Sequence, residues 1–259
     1  MKTIYLLCLG ICLTCAAPLE AQENPSAVIA NALRFLDTPY VAHTLETEPE
    51  QLIIRCNEVD CIILVEYVMA LTLSGESDCR AHTENFADRL REIRYRNGEI
   101  NGYASRLHYV AEWIENAVKA GFIEDVTAAR SPHTQTLSLN FMSAHPDSYL
   151  QLRNNPAETA RIAETEKRLS GQVIHWLPKE ELPDEGLPWI QDGDILALTT
   201  QVDGLDVSHM GIAIYIGDEL RLLHASSRKE KVVIEDMPLR QTLASNKGWT
   251  GMRVLRLTQ

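Results

Sequence analysis

The sequence predicts an α+β fold, and two observations carry that prediction. Up to Leu169, apolar residues recur at helical spacing; from Asp192 onward they fall in short runs of strand length divided by tight turns. Helices first and strands second is a segregated pattern, unlike the alternation of βα units in a parallel sheet.

The chain of 259 residues opens with Lys2, an apolar run from Ile4 to Cys15, and small residues at Ala16, Ala17 and Ala21. That run is about a dozen residues, too short for a hydrocarbon core of about 30 Å, and reads as a secretory signal over residues 1–21. Cleavage is expected near Ala21–Gln22, with Ala17 as the alternative. Lipid anchoring at Cys8, Cys12 or Cys15 is disfavoured, because none follows a small residue. Residues 22–259 then form one domain, exported to the periplasm or secreted from a bacterium, with no membrane span.

Pro25 to Leu36 reads as a short helix with Val28, Ala32, Leu33 and Leu36 on one stripe, broken by Asp37-Thr38-Pro39-Tyr40. Asp60 to Leu73 is apolar almost all round, with Glu66 as the interruption; its length favours a buried helix. Thr83 to Tyr95 is amphipathic through Phe86, Leu90 and Ile93. Ser105 is expected to cap a helix running to Ala120, with Gly121 as its stop. Ser131 to Asp147 reads as an extended loop, and Asn155-Pro156 starts a helix to Leu169. Residues of about 76–175 therefore form a helical insertion. The expected strands are Ile195–Thr199, His209–Ile216, Arg221–Ser226, Val232–Asp236 and Met252–Leu257, joined as an antiparallel meander.

The formal net charge is -12, and no Lys/Arg cluster offsets it. Nucleic acid and anionic surfaces are excluded as partners. Of six cysteines, three leave with the signal, so Cys56, Cys61 and Cys79 remain, an odd number that flags a free thiol. Cys56 and Cys79 could pair. A helix between them would separate them by about 1.5 Å per residue, and both are expected to be unpaired.

Chemistry gathers on Cys61, His209 and His224. Capped by Asp60 or Asn57, Cys61 lies in the first turn of a helix, where free N–H groups lower a thiol pKa. The Asp60 carboxylate would act against that, so it is expected to turn back onto backbone N–H groups. If Gly217-Asp218 is a two-residue turn, Ile216 pairs with Glu219 and Gly211 with His224. His209 and His224 then share a face as diagonal neighbours, roughly 7–8 Å apart at the backbone. A thiol needs a base and a base needs a group to orient it, which these three residues can supply. The competing reading is zinc held by the same Cys and two His, but the close ligand pairs of most zinc sites are missing.

In order along the chain, Thr38-Pro39-Tyr40-Val41, Asp60-Cys61, Gly193-Asp194-Ile195, Ser208-His209-Met210-Gly211-Ile212 and Leu223-His224-Ala225-Ser226 resemble an NlpC-type cell-wall cysteine hydrolase. Asn101-Gly102-Tyr103-Ala104-Ser105-Arg106-Leu107-His108-Tyr109, Asn140-Phe141-Met142-Ser143-Ala144-His145-Pro146 and Gly204-Leu205-Asp206-Val207-Ser208-His209 resemble its N-acetylmuramoyl-L-alanine amidase-like branch. The resemblance implies a papain-like core, with Cys at a helix N-terminus packed on an antiparallel sheet. It implies Cys61 as nucleophile, His209 as base, His224 as the residue orienting it, and Tyr40 near the thiol. It also implies that Tyr103, Arg106, His108 and His145 bind substrate. The implied reaction is hydrolysis of the amide between N-acetylmuramic acid and L-alanine in peptidoglycan fragments, without metal or organic cofactor. Two departures concern the surroundings of the thiol: Ile62 and Ile63 stand where relatives often carry Ser or Thr, and His43 where they commonly have Gly. The alternatives are a stem-peptide endopeptidase of the same fold and an inactive wall-binding module.

Overall fold

The computed structural model describes residues 26–258; the expected signal, residues 1–21, lies outside them. The helices are α1 (Ala27–Leu33), α2 (Cys61–Ser74), α3 (Glu84–Arg94), α4 (Val110–Lys119), the short α5 (Val126–Arg130) and α6 (Phe141–Ala144), α7 (Pro156–Leu169) and α8 (Leu239–Ser245). The strands are β1 (Ile123–Asp125), β2 (Thr134–Thr136), β3 (Val173–His175), β4 (Leu177–Pro178), β5 (Ile195–Thr200), β6 (Val207–Ile216), β7 (Glu219–Ser226), β8 (Lys231–Ile234) and β9 (Trp249–Leu257). Strands β2 and β3 form a separate antiparallel pair.

The main sheet is antiparallel, ordered β1-β9-β5-β6-β7-β8, with β4 also on β9. Strands β5 to β8 form the expected meander. The last strand departs from it: β9 crosses back to pair with β5 rather than following β8. Both faces of the sheet are covered. Ala197, Met210, Ile212, Leu223 and Ala225 pack with α2, while Leu196, Leu198, Ala213 and Leu222 pack on the other face with Leu239 and Leu243 of α8. Burial on two faces explains why the strands read as continuous apolar runs rather than alternating ones.

Helix α2 is set at both ends by its sequence. The Asp60 side chain accepts the Ile63 N–H at 2.9 Å, and Gly75 closes the helix in the left-handed region at φ 71°. Asp60 thus turns back onto the backbone as expected. Glu66 interrupts the apolar surface because it pairs with Arg94 of α3 at 2.7 Å, the side chains being 4% and 1% exposed. Removing either partner alone would strand a buried charge, at a cost of about 3–5 kcal/mol.

Ser105 does not cap α4. It lies in a tight turn, where its hydroxyl accepts the Asn101 N–H and donates to the Gly102 carbonyl. The helix starts five residues later, at Val110, and takes its cap from Asp206, far along the chain. Residues 131–147 are also not a plain loop, since β2 and α6 fall within them. Tyr103, Tyr109, Leu139, Met142, Ile162, Leu169 and Ile174 form an apolar cluster of their own within the inserted region.

Cys56 and Cys79 form a disulfide, with Cα atoms 6.1 Å apart, against the expectation that they are unpaired. The segment before α2 runs back along the helix: the Arg55 N–H donates to the Tyr67 hydroxyl at 2.7 Å. Cys56 therefore starts beside the middle of α2, and the chain after Gly75 has only to fold back to reach it. Among the described residues no helix is long and apolar enough to cross a membrane.

Candidate active site

Cys61 is the first residue of α2 and the free thiol among the described residues. Met210, next to His209 on β6, turns its backbone N–H onto that thiol, which sets the helix start against the strand at His209. Tyr40 reaches the same place through a parallel bridge between Tyr40 and Val59, with its own N–H on the Glu230 carbonyl at 2.9 Å.

The β6–β7 hairpin has the register read from its turn, with Ile216 opposite Glu219 and Ile212 opposite Leu223. His209 and His224 consequently meet: His209 Nε2 and His224 Nδ1 are 2.6 Å apart, with the rings nearly perpendicular at 82°. Gly211 makes the space. A Cβ there would come within 2.6 Å of a Leu222 methyl and 3.1 Å of the His224 Cβ.

The sequence reading missed the groups behind this pair. His224 is buried, and its Nε2 lies 2.9 Å from Glu235 Oε1. Lys229 Nζ lies 2.9 Å from Glu235 Oε2 and 3.2 Å from Asp236. Trp249 of β9 stacks on the His209 ring at 5.3 Å between centroids. Glu235 and Trp249 reach the site across β8 and β9, and no local spacing marks them. Asp206 was visible only within a motif, not as a cap.

Burial pushes the Cys61 thiol up to about 12, with the Asp60 carboxylate adding to the rise; the backbone N–H groups of Met210, Ile62 and Cys61 act in the opposite direction. Desolvation therefore outweighs the helix end, contrary to the expected lowering. Burial, and then His224, hold His209 down to about 3. Glu235 is held down to about 2, first by its hydrogen bond with His224 and then, against a desolvation penalty, by Lys229. At neutral pH the resting site thus contains a neutral Cys61 thiol, a neutral His209 ring and an ionised Glu235 carboxylate.

Two clefts flank these residues. One of about 400 Å³ is lined by His209, His224, Lys229, Met237, Thr242 and Trp249. The other, of about 150 Å³, is lined by His43, Glu46, Asp60, Ile62, Arg106 and His108. His43 sits there at φ 63°, a conformation that suits glycine, in keeping with the residue it replaces in the resemblance.

Arg106 and His108 both line the smaller cleft, and Tyr103 lies behind them. Arg106 is buried and already paired, with Glu46 at 3.1 Å and Glu50 at 3.0 Å, and its guanidinium lies over the Tyr103 ring at 4.9 Å. His108 packs on Tyr103 and bonds its carbonyl at 2.9 Å. His145 is exposed, follows the last residue of α6 and bonds the Phe141 carbonyl of that helix, and lines neither cleft.

Among the described residues no group of three or more His, Cys, Asp or Glu is placed to hold a metal ion. The facing nitrogens of His209 and His224 are hydrogen-bonded to each other, so they do not converge on a common ion.

Residues 30–252 match the AmiA-like family, described as N-acetylmuramoyl-L-alanine amidase-like. An N-acetylmuramoyl-L-alanine amidase from Bacteroides uniformis has a similar structure, with TM-score 0.86 and 53% identity over 90% of this chain and 98% of that one. A Bacteroides fragilis protein provisionally named a xylanase has TM-score 0.84 and 55% identity over 88% of this chain and 99% of that one. A Legionella pneumophila protein shares the fold at TM-score 0.67 and 21% identity, over 90% and 88% of the two chains. No curated protein matches.

Proposed function

Because the chain belongs to the AmiA-like, N-acetylmuramoyl-L-alanine amidase-like family, we propose that it is a cell-wall amidase of the papain-like, NlpC-type class. It uses Cys61 to hydrolyse the amide between N-acetylmuramic acid and L-alanine in peptidoglycan fragments. The observation that supports the cysteine mechanism is the 2.6 Å contact between His209 and His224, with a free thiol at a helix start held by the backbone N–H of Met210, the next residue along from His209.

The resting thiol is neutral, so it is activated during attack rather than beforehand. As the Cys61 sulfur adds to the lactyl carbonyl, its proton passes to His209 Nδ1. His224 holds the other face of the ring and supports the imidazolium. The first-turn N–H groups of Cys61 and Ile62 stabilise the oxyanion. His209 then gives the proton to the departing L-alanine nitrogen, leaving a thioester. Water, deprotonated by His209, attacks the thioester and releases the muramic carboxylate and the thiol. Arg106 and His108 line the acyl side of the cleft, with Tyr103 packed behind them and Tyr40 near the thiol; His145, away from both clefts, has no part in this step.

The substrate is a soluble, sugar-bearing muropeptide, and the protein acts outside the cytosol after export. Small muropeptides should release stem peptide beginning with L-alanine, read by product mass, while insoluble sacculi should be cut slowly. Products cut inside the stem peptide would make it an endopeptidase, and binding without products would make it a wall-binding module.

A further inference from the structure

His209 can take the thiol proton from only one of its two neutral tautomers. Its Nε2 faces His224 Nδ1 at 2.6 Å, so one of these nitrogens carries the hydrogen and the other accepts it. If His209 Nε2 donates, its Nδ1 keeps a lone pair. If His224 Nδ1 donates, His209 Nδ1 carries a hydrogen and has nothing to offer a thiol. The pair of rings alone does not choose between these states.

The choice is made at the far side of His224. Its Nε2 lies 2.9 Å from Glu235 Oε1, and an ionised carboxylate can only accept. His224 Nε2 must therefore donate. In the neutral form of His224 that is its one N–H, so its Nδ1 is then an acceptor and His209 Nε2 the donor. Lys229 Nζ, 2.9 Å from the other Glu235 oxygen, keeps the carboxylate ionised and turned; Asp236, on the same lysine, is the other charge at that end. Trp249 stacks on His209 and fixes the plane in which its nitrogens point.

We propose that Glu235 is a positioning residue: by fixing the tautomer of His224 it dictates which nitrogen of His209 is the base. This rests on the reading of Cys61 and His209 as nucleophile and base, and it adds a fourth member to the line Cys61, His209, His224. When His209 gains the thiol proton, the lone pair of His224 backed by the carboxylate faces the new charge. Both ends of proton transfer thus depend on a residue that touches neither thiol nor substrate.

The test uses nitrogen-15 spectra of the imidazoles and kinetics on N-acetylmuramoyl-L-alanyl-D-isoglutamine. In the unaltered protein at neutral pH, His224 and His209 should both be protonated at Nε2 and bare at Nδ1. Glu235→Gln, of the same size, offers both an oxygen and an NH2 group, so both tautomers become available. Its spectra should show a mixed or reversed pattern, kcat should fall about 10- to 1,000-fold, and KM should stay within about twofold. Protonation of His224 at Nδ1 in the unaltered protein would overturn the proposal without any variant. Unchanged tautomers in Glu235→Gln, whether kcat holds or falls, would overturn it too, as would a change confined to KM. Cys61→Ser separates the two layers: if that variant keeps turnover, the underlying reading fails, whereas if it is inactive and Glu235→Gln is normal, only the role of Glu235 fails.

Discussion

Asp206 joins the strand that carries His209 to helix α4 of the inserted region: one carboxylate oxygen accepts the Ala111 N–H of α4 at 2.5 Å, and the other accepts the Val207 N–H at 2.8 Å. Tyr109, at the helix N-cap position, supplies no side-chain cap, so this contact is what closes the helix end. Asp206→Ala should leave the Ala111 N–H buried without that acceptor, at a cost of about 1–3 kcal/mol. Because β6 begins at Val207, the variant should also lose activity. Thermal unfolding and turnover measured together check this; a lower melting temperature with unchanged turnover would show that the contact does not position the strand.

The cysteines should separate by role. Cys61→Ser should abolish turnover and leave the fold intact. The double replacement of Cys56 and Cys79 by Ser should retain the reactive thiol and turnover. It should lose about 3 kcal/mol of stability, the loop-closure contribution expected for their separation of 23 residues. Labelling by an alkylating probe in the double variant distinguishes these effects, and an unlabelled Cys61 there would count against its assignment.

Acid should destabilise the protein before its carboxylates titrate. His209 and His108 are each held down to about 3, His209 by burial and then His224, His108 by burial and then the Arg106 charge. In the unfolded chain both have a pKa of about 6.5. Below that value the unfolded state binds more protons, so stability is present above about pH 6.5 and is lost as pH falls toward 3. At pH 5 the loss is at most about 2 kcal/mol per histidine. Denaturant unfolding between pH 7 and pH 5 should show the slope, and His108→Gln should flatten it. An equal slope in that variant would mean that His108 titrates normally.

Arg106→Ala should act twice. Loss of the guanidinium leaves Glu46 and Glu50 without their partner, which should destabilise the protein by about 3 kcal/mol or more. It also removes one wall of the smaller cleft. KM for a small muropeptide should rise while the alkylation rate of Cys61 stays the same. A changed alkylation rate would place the disturbance at the nucleophile instead.

A strong chelator should leave hydrolysis of the same substrate unchanged. Turnover lost on chelation and restored only by zinc would show that the histidines rearrange to bind an ion.

What the sequence could reveal was governed by how local each cause is. Helix α2 was legible because Asp60, the apolar run and Gly75 lie within one short stretch. The two-residue turn at Gly217-Asp218 set the hairpin register, and with it the meeting of His209 and His224. The disulfide was misread because the backward path of residues before Cys61 is set by contacts such as Arg55 with Tyr67. Ser105 looked like a cap because the true one, Asp206, lies elsewhere in the chain. Arg106 was assigned to substrate with no sign of its ion pairs, because Glu46 and Glu50 reach it only after the loop before α2 folds over. Glu235 and Trp249 stayed hidden for the same reason.

Gly211 leaves a vacancy one side chain wide, and the two histidine rings meet across it. A single added methyl would press on Leu222 and the backbone carbonyl of Leu223 and push His224 away from its neighbour. The apolar face toward α2 and the inserted cluster would be untouched. Chemistry and architecture can therefore part company at one position: the smallest possible enlargement there would separate the paired histidines within a shell that stays folded.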